Sequence, residues 1–289
     1  MKALVAGAHG QLGRDLVAAL GEEVAWSGGR IELDVADWVA VSETVRRVQP
    51  EFIFNGAAYN KVDGSETETG RALEVNALAP KLLARAARDA GAVLVHFSTD
   101  YVFDGASARP YLEDDCPQPL GAYGISKLAG ERLVTASGAA HLVVRTSGVF
   151  GRGGNRQKGG SFVERILEQA RAGRPLRVVG DQTFAPTYAP DLAAAAIALV
   201  RAGARGTFHV TNSGSCSWHD LATEGLALAG VEAPVARITA AELNLAAARP
   251  VYSVLDNGRY QGLGLPPLRS WREALAESLS ESRAGARGA

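Results

Sequence analysis

The 289-residue sequence is poor in the features that mark special classes of protein. It has two cysteines, Cys116 and Cys216, without paired spacing, so neither a disulfide framework nor a zinc site is indicated, and both read as reduced bystanders of a cytoplasmic protein. It lacks a charge of one sign: 30 Lys+Arg against 31 Asp+Glu give a formal net charge of −1, which argues against a broadly basic nucleic-acid binder and leaves room for a local positive pocket. No long apolar run is present. The longest, Leu192 to Val200, is Ala-rich and too short to span a bilayer, and Gly7, His9, Gly10 and Gln11 interrupt the N-terminal apolar stretch before a signal sequence could be completed. What remains, 47% hydrophobic and 21% charged residues, is the composition of a soluble globular protein long enough to bury a sizeable core.

Apolar runs at Lys2 to Ala6, Val24 to Ser27, Phe52 to Asn55, Val93 to Ser98 and His141 to Thr146 read as strands covered on both faces. Helical patterns lie between them, at Asp15 to Leu20, Trp38 to Val48, Arg71 to Ala90 and Tyr123 to Ala136. This alternation predicts an α/β fold: a Rossmann-type doubly wound parallel sheet carrying a smaller C-terminal substrate lobe. Residues 1–150 form the expected dinucleotide-binding domain, rejoined at about 190–212 by the helix Asp191 to Arg201 and the strand Thr207 to Thr211. Residues 151–189 and 213–289 form the expected substrate lobe, with helices at Ser161 to Ala172, Trp218 to Ala229, Ala240 to Ala248 and Trp271 to Leu279 and a strand at Arg177 to Val179. The Ser/Arg/Gly/Ala-rich tail from Ser280 to Ala289 is expected to fray.

Gly7, Gly10 and Gly13 form G-x-x-G-x-x-G between the first strand and the first helix. A tight turn, a close backbone approach and a free helix N-terminus together suit a pyrophosphate, and the place of the motif, more than the glycines alone, points to a dinucleotide. The second strand ends Ser27-Gly28-Gly29-Arg30, without the carboxylate that an NAD-specific fold sets against the ribose 2′-hydroxyl. Ser27 and Arg30 lean toward a 2′-phosphate and NADP, against the alternative of a solvated turn. Asp34 reads either as a neighbour of the adenine or as a cap for the helix near Trp38.

Tyr123 and Lys127 stand four residues apart at a helix start and so share one face. An ammonium beside a phenol favours phenolate, lowering the tyrosine pKa and making its proton transferable near neutral pH. Chance Y-x-x-x-K pairs are common, but this one follows a long strand ending Ser98-Thr99-Asp100, at the carboxyl edge where such sheets bind ligands.

With Asn55-Gly56-Ala57-Ala58, Val75-Asn76, Ser98-Thr99 and Tyr123-x-x-x-Lys127 in order, the sequence resembles the extended short-chain dehydrogenase/reductase family. The runs from Asn55 to Asp63, His96 to Gly105, Pro119 to Glu131, Asp181 to Ala193 and Arg249 to Asp256 are similar to its dTDP-4-dehydrorhamnose reductase branch over nearly the whole chain. Tyr101 after Thr99-Asp100, where the family's 4,6-dehydratases have Glu, speaks against elimination.

The resemblance implies an oxidoreductase of dTDP-rhamnose (carbohydrate) biosynthesis that reduces the 4-keto group of a nucleotide sugar, preferring NADP(H) and tolerating NAD(H). Tyr123 would donate the proton, Lys127 would hold the nicotinamide ribose, Thr99 would bond the carbonyl and Asn76 would support the proton path. Gly7, Gly10, Gln11, Leu12 and Gly13 would meet the pyrophosphate and Arg30, Asp34 and Val35 the adenosine. Ala57, Ala58, Tyr59, Asn60 and Ser98 would line the nicotinamide side, and Thr99, Asp100 and Tyr101 would face the sugar.

Gly148 departs from the pattern, since the branch usually has a sugar-contacting Trp there, and this puts the identity of the sugar in question. Arg152, Arg156 and Lys158 are candidates for a diphosphate contact, against a merely solvated loop. Some family members are dimers with Mg²⁺ at interface carboxylates, and Asp15 falls at a matching place, but one acidic residue does not establish a metal site. The competing readings are a non-catalytic NADP-binding regulatory subunit, as partners methionine adenosyltransferase, and a nucleotide-sugar epimerase. No nucleic-acid or membrane partner is expected.

Overall fold

The computed structural model describes residues 1–151 and 160–287. Strand and helix alternate through β1 (Ala3–Ala6), α1 (Gln11–Leu20), β2 (Val24–Gly28), α2 (Trp38–Val48) and β3 (Phe52–Asn55). Two short helices, α3 (Gly64–Thr67) and α4 (Thr69–Leu73), lead through a π-helical turn at Glu74–Leu78 into α5 (Ala79–Ala90). Then come β4 (Val93–Thr99), α6 (Ala122–Thr135), β5 (His141–Thr146), β6 (Val149–Phe150) and α7 (Phe162–Arg171). The remainder comprises β7 (Leu176–Val179), β8 (Thr183–Phe184), β9 (Thr187–Tyr188), α8 (Ala189–Arg201), β10 (Gly206–His209), β11 (Cys216–Ser217) and α9 (Trp218–Ala229). It ends with β12 (Val235–Ile238), α10 (Ala240–Leu243), α11 (Gly258–Gln261) and α12 (Trp271–Arg287).

Six strands pair in parallel in the order β2-β1-β3-β4-β5-β10, so the α/β reading holds and the late strand does rejoin the sheet. The inner strands β1, β3, β4 and β5 are buried on both faces, whereas the edge strand β2, expected to be covered likewise, alternates and is exposed at Ala25 and Ser27 because it has a neighbour on one side only. Ala3, Val5, Phe54, Val95, Leu142 and Val144 pack on one side with α1 and α8, through Leu16, Leu192 and Leu199. The alternate residues Leu4, Ile53, Leu94 and Val143 pack on the other side with α2 and α5, through Val41, Val45 and Leu83. A third cluster, built from Phe150, Ile166, Leu176, Phe184, Leu221 and Trp271, lies among the later elements.

Three stretches differ from the sequence reading. The helix expected over 71–90 is broken at 74–78, because Pro80 has no N–H to give to the carbonyl of Asn76 and the helix widens by a residue; Ala79 N–H reaches back to the Glu74 carbonyl. The helix expected to reach Ala248 stops at Leu243, where Asn244 takes a left-handed conformation and the Ala247 N–H turns to Asp63 Oδ1. The tail expected to fray from Ser280 continues α12 as far as Arg287. Among the described residues no helix is long and apolar enough to cross a membrane.

Candidate active site

The glycine turn is built for close approach. Gly7 has φ +74°, and a Cβ there would lie 2.5 Å from the Ala57 nitrogen; a Cβ on Gly13 would lie 2.1 Å from the Gly7 carbonyl oxygen. α1 therefore starts pressed against the turn, with no side-chain cap on Gly10 and no acidic residue in its first turn. By contrast α7 and α9 carry complete capping boxes, Ser161 with Glu164 and Ser217 with Asp220. The buried Nε2 of Gln11 has no hydrogen-bond partner. A Cβ-free cradle, open helix amides and an unpaired buried donor fit the diphosphate of a dinucleotide.

At the edge of the sheet the adenosine side is polar. Val35 is buried, while Arg30 is exposed with its guanidinium 3.4 Å from Asp34 Oδ2. Asp34 does not cap α2: its Oδ1 accepts from Ala36 N–H, whereas Asp37 accepts from Val39 and Ala40 and is the cap. The carboxylate found missing at the end of β2 is supplied from further along. Glu32 folds back so that its Oε2 accepts from the Gly29 N–H at 2.8 Å and lies 3.8 Å from His9 Nδ1. Nothing in the sequence spacing announces this contact, because it depends on the turn at 29–33 closed by Leu33 N–H to the Gly29 carbonyl.

After β3, Asn55 Oδ1 accepts from Ala57 N–H and Asn76 secures the next turn. Asn76 Oδ1 accepts from Tyr59 N–H while its Nδ2 donates to the Tyr59 carbonyl and to Ser126 Oγ. Its amide is thus engaged in holding the loop, not directed at Tyr123, and the Ser126 hydroxyl in turn donates to the Tyr123 carbonyl. Ala58 and Asn60 are exposed on this loop, and the half-buried Tyr59 gives its hydroxyl to Glu68.

The catalytic candidates meet at the carboxyl end of β4. Tyr123, at the start of α6, has the Thr99 hydroxyl near enough to lower its pKa and sets its ring edge-on to Tyr101, with centroids 6.0 Å apart. Both rings line a cleft with Val62, Glu66, Leu120 and Pro250. Burial, reinforced by Asp100, pushes the Tyr123 hydroxyl up to about 12, opposite to the expected lowering, with Thr99 pulling only partly against it. Lys127 does not act on the phenol in this arrangement: its Nζ donates to the Phe97 carbonyl at 2.6 Å. Burial lowers Lys127 to about 8, with Glu131 holding it up.

Two expected contacts point elsewhere. Ser98 is buried and donates its hydroxyl to Glu131, which also forms a buried ion pair with Arg145. Asp100 is 2% exposed, and its oxygens accept from Thr99 Oγ1 at 2.9 Å, Ser147 Oγ at 2.7 Å and Ser253 Oγ at 2.6 Å; burial raises its pKa. Asp100 therefore orders the site from beneath and does not face the cleft. Tyr101 does face it, braced by Arg249, which makes a two-pronged ion pair with Asp63.

Gly148 has φ +51°, and a Cβ there would lie 2.3 Å from the ring of Phe184, which stacks on Trp218 at 4.1 Å. An aromatic surface is present beside position 148, brought by a residue 36 positions later, and the sequence reading missed it. Arg152, Arg156 and Lys158 lie outside the described residues. Among the described residues no group of three or more His, Cys, Asp or Glu could hold a metal ion, Asp15 included.

Known proteins are similar to the chain over nearly its whole length. The chain is 40% identical over 283 residues to the spore coat polysaccharide biosynthesis protein SpsK of Bacillus subtilis, covering 97% of each chain. It is 41% identical over 284 residues to a dTDP-4-dehydrorhamnose reductase of Streptomyces griseus, covering 95% of this chain and 92% of the relative. The crystal structure of dTDP-4-dehydrorhamnose reductase from Bacillus anthracis in complex with NADP superposes with a TM-score of 0.92 at 35% identity, covering 97% of this chain and all of the other. The family model described as the RmlD substrate binding domain matches residues 1–284, and the chain belongs to that family.

Proposed function

We propose that the chain is an NADPH-preferring, NADH-tolerant reductase of a 4-keto nucleotide sugar, converting dTDP-4-dehydro-L-rhamnose to dTDP-L-rhamnose. The observation that carries the reading is Tyr123 lining the cleft at the end of β4, with the Thr99 hydroxyl near it, on the same sheet edge as the glycine cradle. The names of relatives near 40% identity, and the NADP held by the similar crystal structure, support it. When bound, the coenzyme supplies the hydride that adds to C4.

The rest falls to the protein. Tyr123 gives its hydroxyl proton to the C4 oxygen, and its high pKa keeps that proton in place until the oxygen gains negative charge. The Thr99 hydroxyl, which donates to Asp100 Oδ1 in this arrangement, turns its one proton to the same oxygen when the sugar is bound. Lys127, anchored on the Phe97 carbonyl, keeps two further N–H groups for the nicotinamide ribose. Gln11 and the first amides of α1 take the diphosphate, and Tyr101 supports the sugar. Residues 1–150 with 190–212 act as the coenzyme domain and 151–189 with 213–289 as the substrate lobe. A cytoplasmic setting suits two free thiols, Cys116 exposed and Cys216 buried.

The test is turnover of enzymatically generated dTDP-4-dehydrorhamnose, followed by nicotinamide absorbance with NADPH and NADH side by side. Net oxidation of NADPH is expected only with the keto sugar present. Tyr123→Phe should lower kcat by roughly 10²–10⁴-fold while leaving the Kd for NADP⁺ unchanged. Wild-type protein that binds NADPH without consuming it would overturn the reductase reading. Sugar conversion without net consumption would indicate an epimerase, and co-purification with a synthetase without turnover would indicate a regulatory subunit.

A further inference from the structure

The end of β2 holds a small anion site that is already answered from within the chain. Ala8 N–H donates to the Gly28 carbonyl at 3.0 Å, which ties the glycine turn to the strand end. His9 lies flat against Gly29, where a Cβ would come 2.5 Å from its Nδ1. The Gly29 amide and the imidazole therefore meet just past β2, the place where a Rossmann sheet meets the adenosine ribose, and the next residue is the exposed Arg30. The Glu32 carboxylate takes the Gly29 amide at 2.8 Å and stands 3.8 Å from His9, while Asp34 draws Arg30 at 3.4 Å.

We propose that Glu32 is a coenzyme-selecting residue: its carboxylate occupies the Gly29 amide, beside the His9 imidazole, that a ribose 2′-phosphate would use, and so disfavours that phosphate relative to a free 2′-hydroxyl. A phosphate at this place must displace the carboxylate from Gly29 and then sit beside its charge, which the attraction of Arg30 and His9 has to outweigh. A 2′-hydroxyl meets no such repulsion and can donate to the same carboxylate. Arg30 and Glu32 thus pull in opposite directions, which gives a physical reason for a reductase that prefers NADPH yet accepts NADH. This inference rests on the dinucleotide reading above.

The two groups separate with fragments that carry no nicotinamide. Calorimetric titration of wild type, Glu32→Gln and Arg30→Ala with adenosine 2′,5′-bisphosphate and with AMP measures the 2′-phosphate alone. Glu32→Gln is expected to tighten the bisphosphate by about tenfold and to change AMP by less than about twofold. Arg30→Ala should weaken the bisphosphate and spare AMP. Both side chains are exposed, so the variants should fold, and far-ultraviolet circular dichroism confirms it. If Glu32→Gln shifts both probes equally, or neither, the proposal is overturned. If wild type binds neither NADP⁺ nor NAD⁺, the dinucleotide reading itself fails, a different result from equal shifts.

Discussion

Lys127 shows what burial does to a single charge. It sits on α6 with 3% of its surface exposed, bonded to a backbone carbonyl, and its ammonium is disfavoured by desolvation more than Glu131 favours it. Its pKa of about 8 lies below the ordinary lysine value, so the fraction carrying the charge falls within the range where enzymes are assayed. The proposed role requires the charged form, and kcat/KM reports groups of the free enzyme. The pH profile of kcat/KM for keto-sugar reduction should therefore fall on the alkaline side with an apparent pKa near 8. Glu131→Gln removes the group that raises this value and should move the limb to lower pH. A limb that stays in place in Glu131→Gln would show that another group is responsible. Tyr123 contributes no limb below about 12, so the fall near 8 is not its ionisation.

At the scale of elements, the π-helical turn between α4 and α5 ties the loop after β3 to α6. Asn76 makes that tie with three hydrogen bonds, two of them to the backbone of Tyr59. Asn76→Ala leaves the Tyr59 amide and carbonyl without these partners and should destabilise the fold by about 1–3 kcal/mol, read as a lower urea midpoint. It should also raise the Kd for NADP⁺, since the loop carrying Ala57 and Ala58 loses its support, while Ser126→Ala, which removes one bond, should do less. Equal coenzyme affinity in Asn76→Ala and wild type would show that the loop needs no such tie. The sequence predicts β3, α2 and α9 to the residue, because uninterrupted apolar strands and strong periodicity are local signals. It misses the helix break at 74–78, since the N–H that Pro80 lacks can end, kink or widen a helix, and which of these occurs depends on packing beyond the helix itself. Ser98, Asp100 and Glu32 are misread or missed for a related reason. Motif order gives the neighbourhood of a side chain, but which partner takes its hydrogen bonds depends on residues far along the chain, such as Glu131, Ser147 and Ser253.

Across the whole molecule, a near-zero net charge leaves each anion to be met locally, and buried polar junctions tie distant segments together. The segment from Arg249 to Asp256 does this most directly. Arg249 pairs with Asp63, Thr183 N–H donates to the Val251 carbonyl while Ser253 N–H donates to the Thr183 carbonyl, Asp256 N–H reaches the Tyr111 carbonyl, and Ser253 Oγ donates to Asp100 beneath the Thr99 hydroxyl. Among the described residues no cation offsets the burial of Asp100; desolvation raises its pKa above 3.8, against three hydroxyls, Ser253 foremost, and its own backbone N–H, which favour its charge. Between that value and its folded pKa the native state holds more protons than the unfolded chain, so the stability owed to this group falls as pH rises through the window. Ser253→Ala removes a donor that matters chiefly to the ionised form. Its deficit in unfolding free energy should be about 1–3 kcal/mol where Asp100 is ionised and smaller where it is protonated, measured by urea titration across a pH series. With Thr99 losing part of its anchor, kcat should fall while the Kd for NADP⁺ holds. A deficit that stays constant across the whole series would mean that Asp100 keeps one protonation state throughout, and the link between its titration and the strength of this junction would fail.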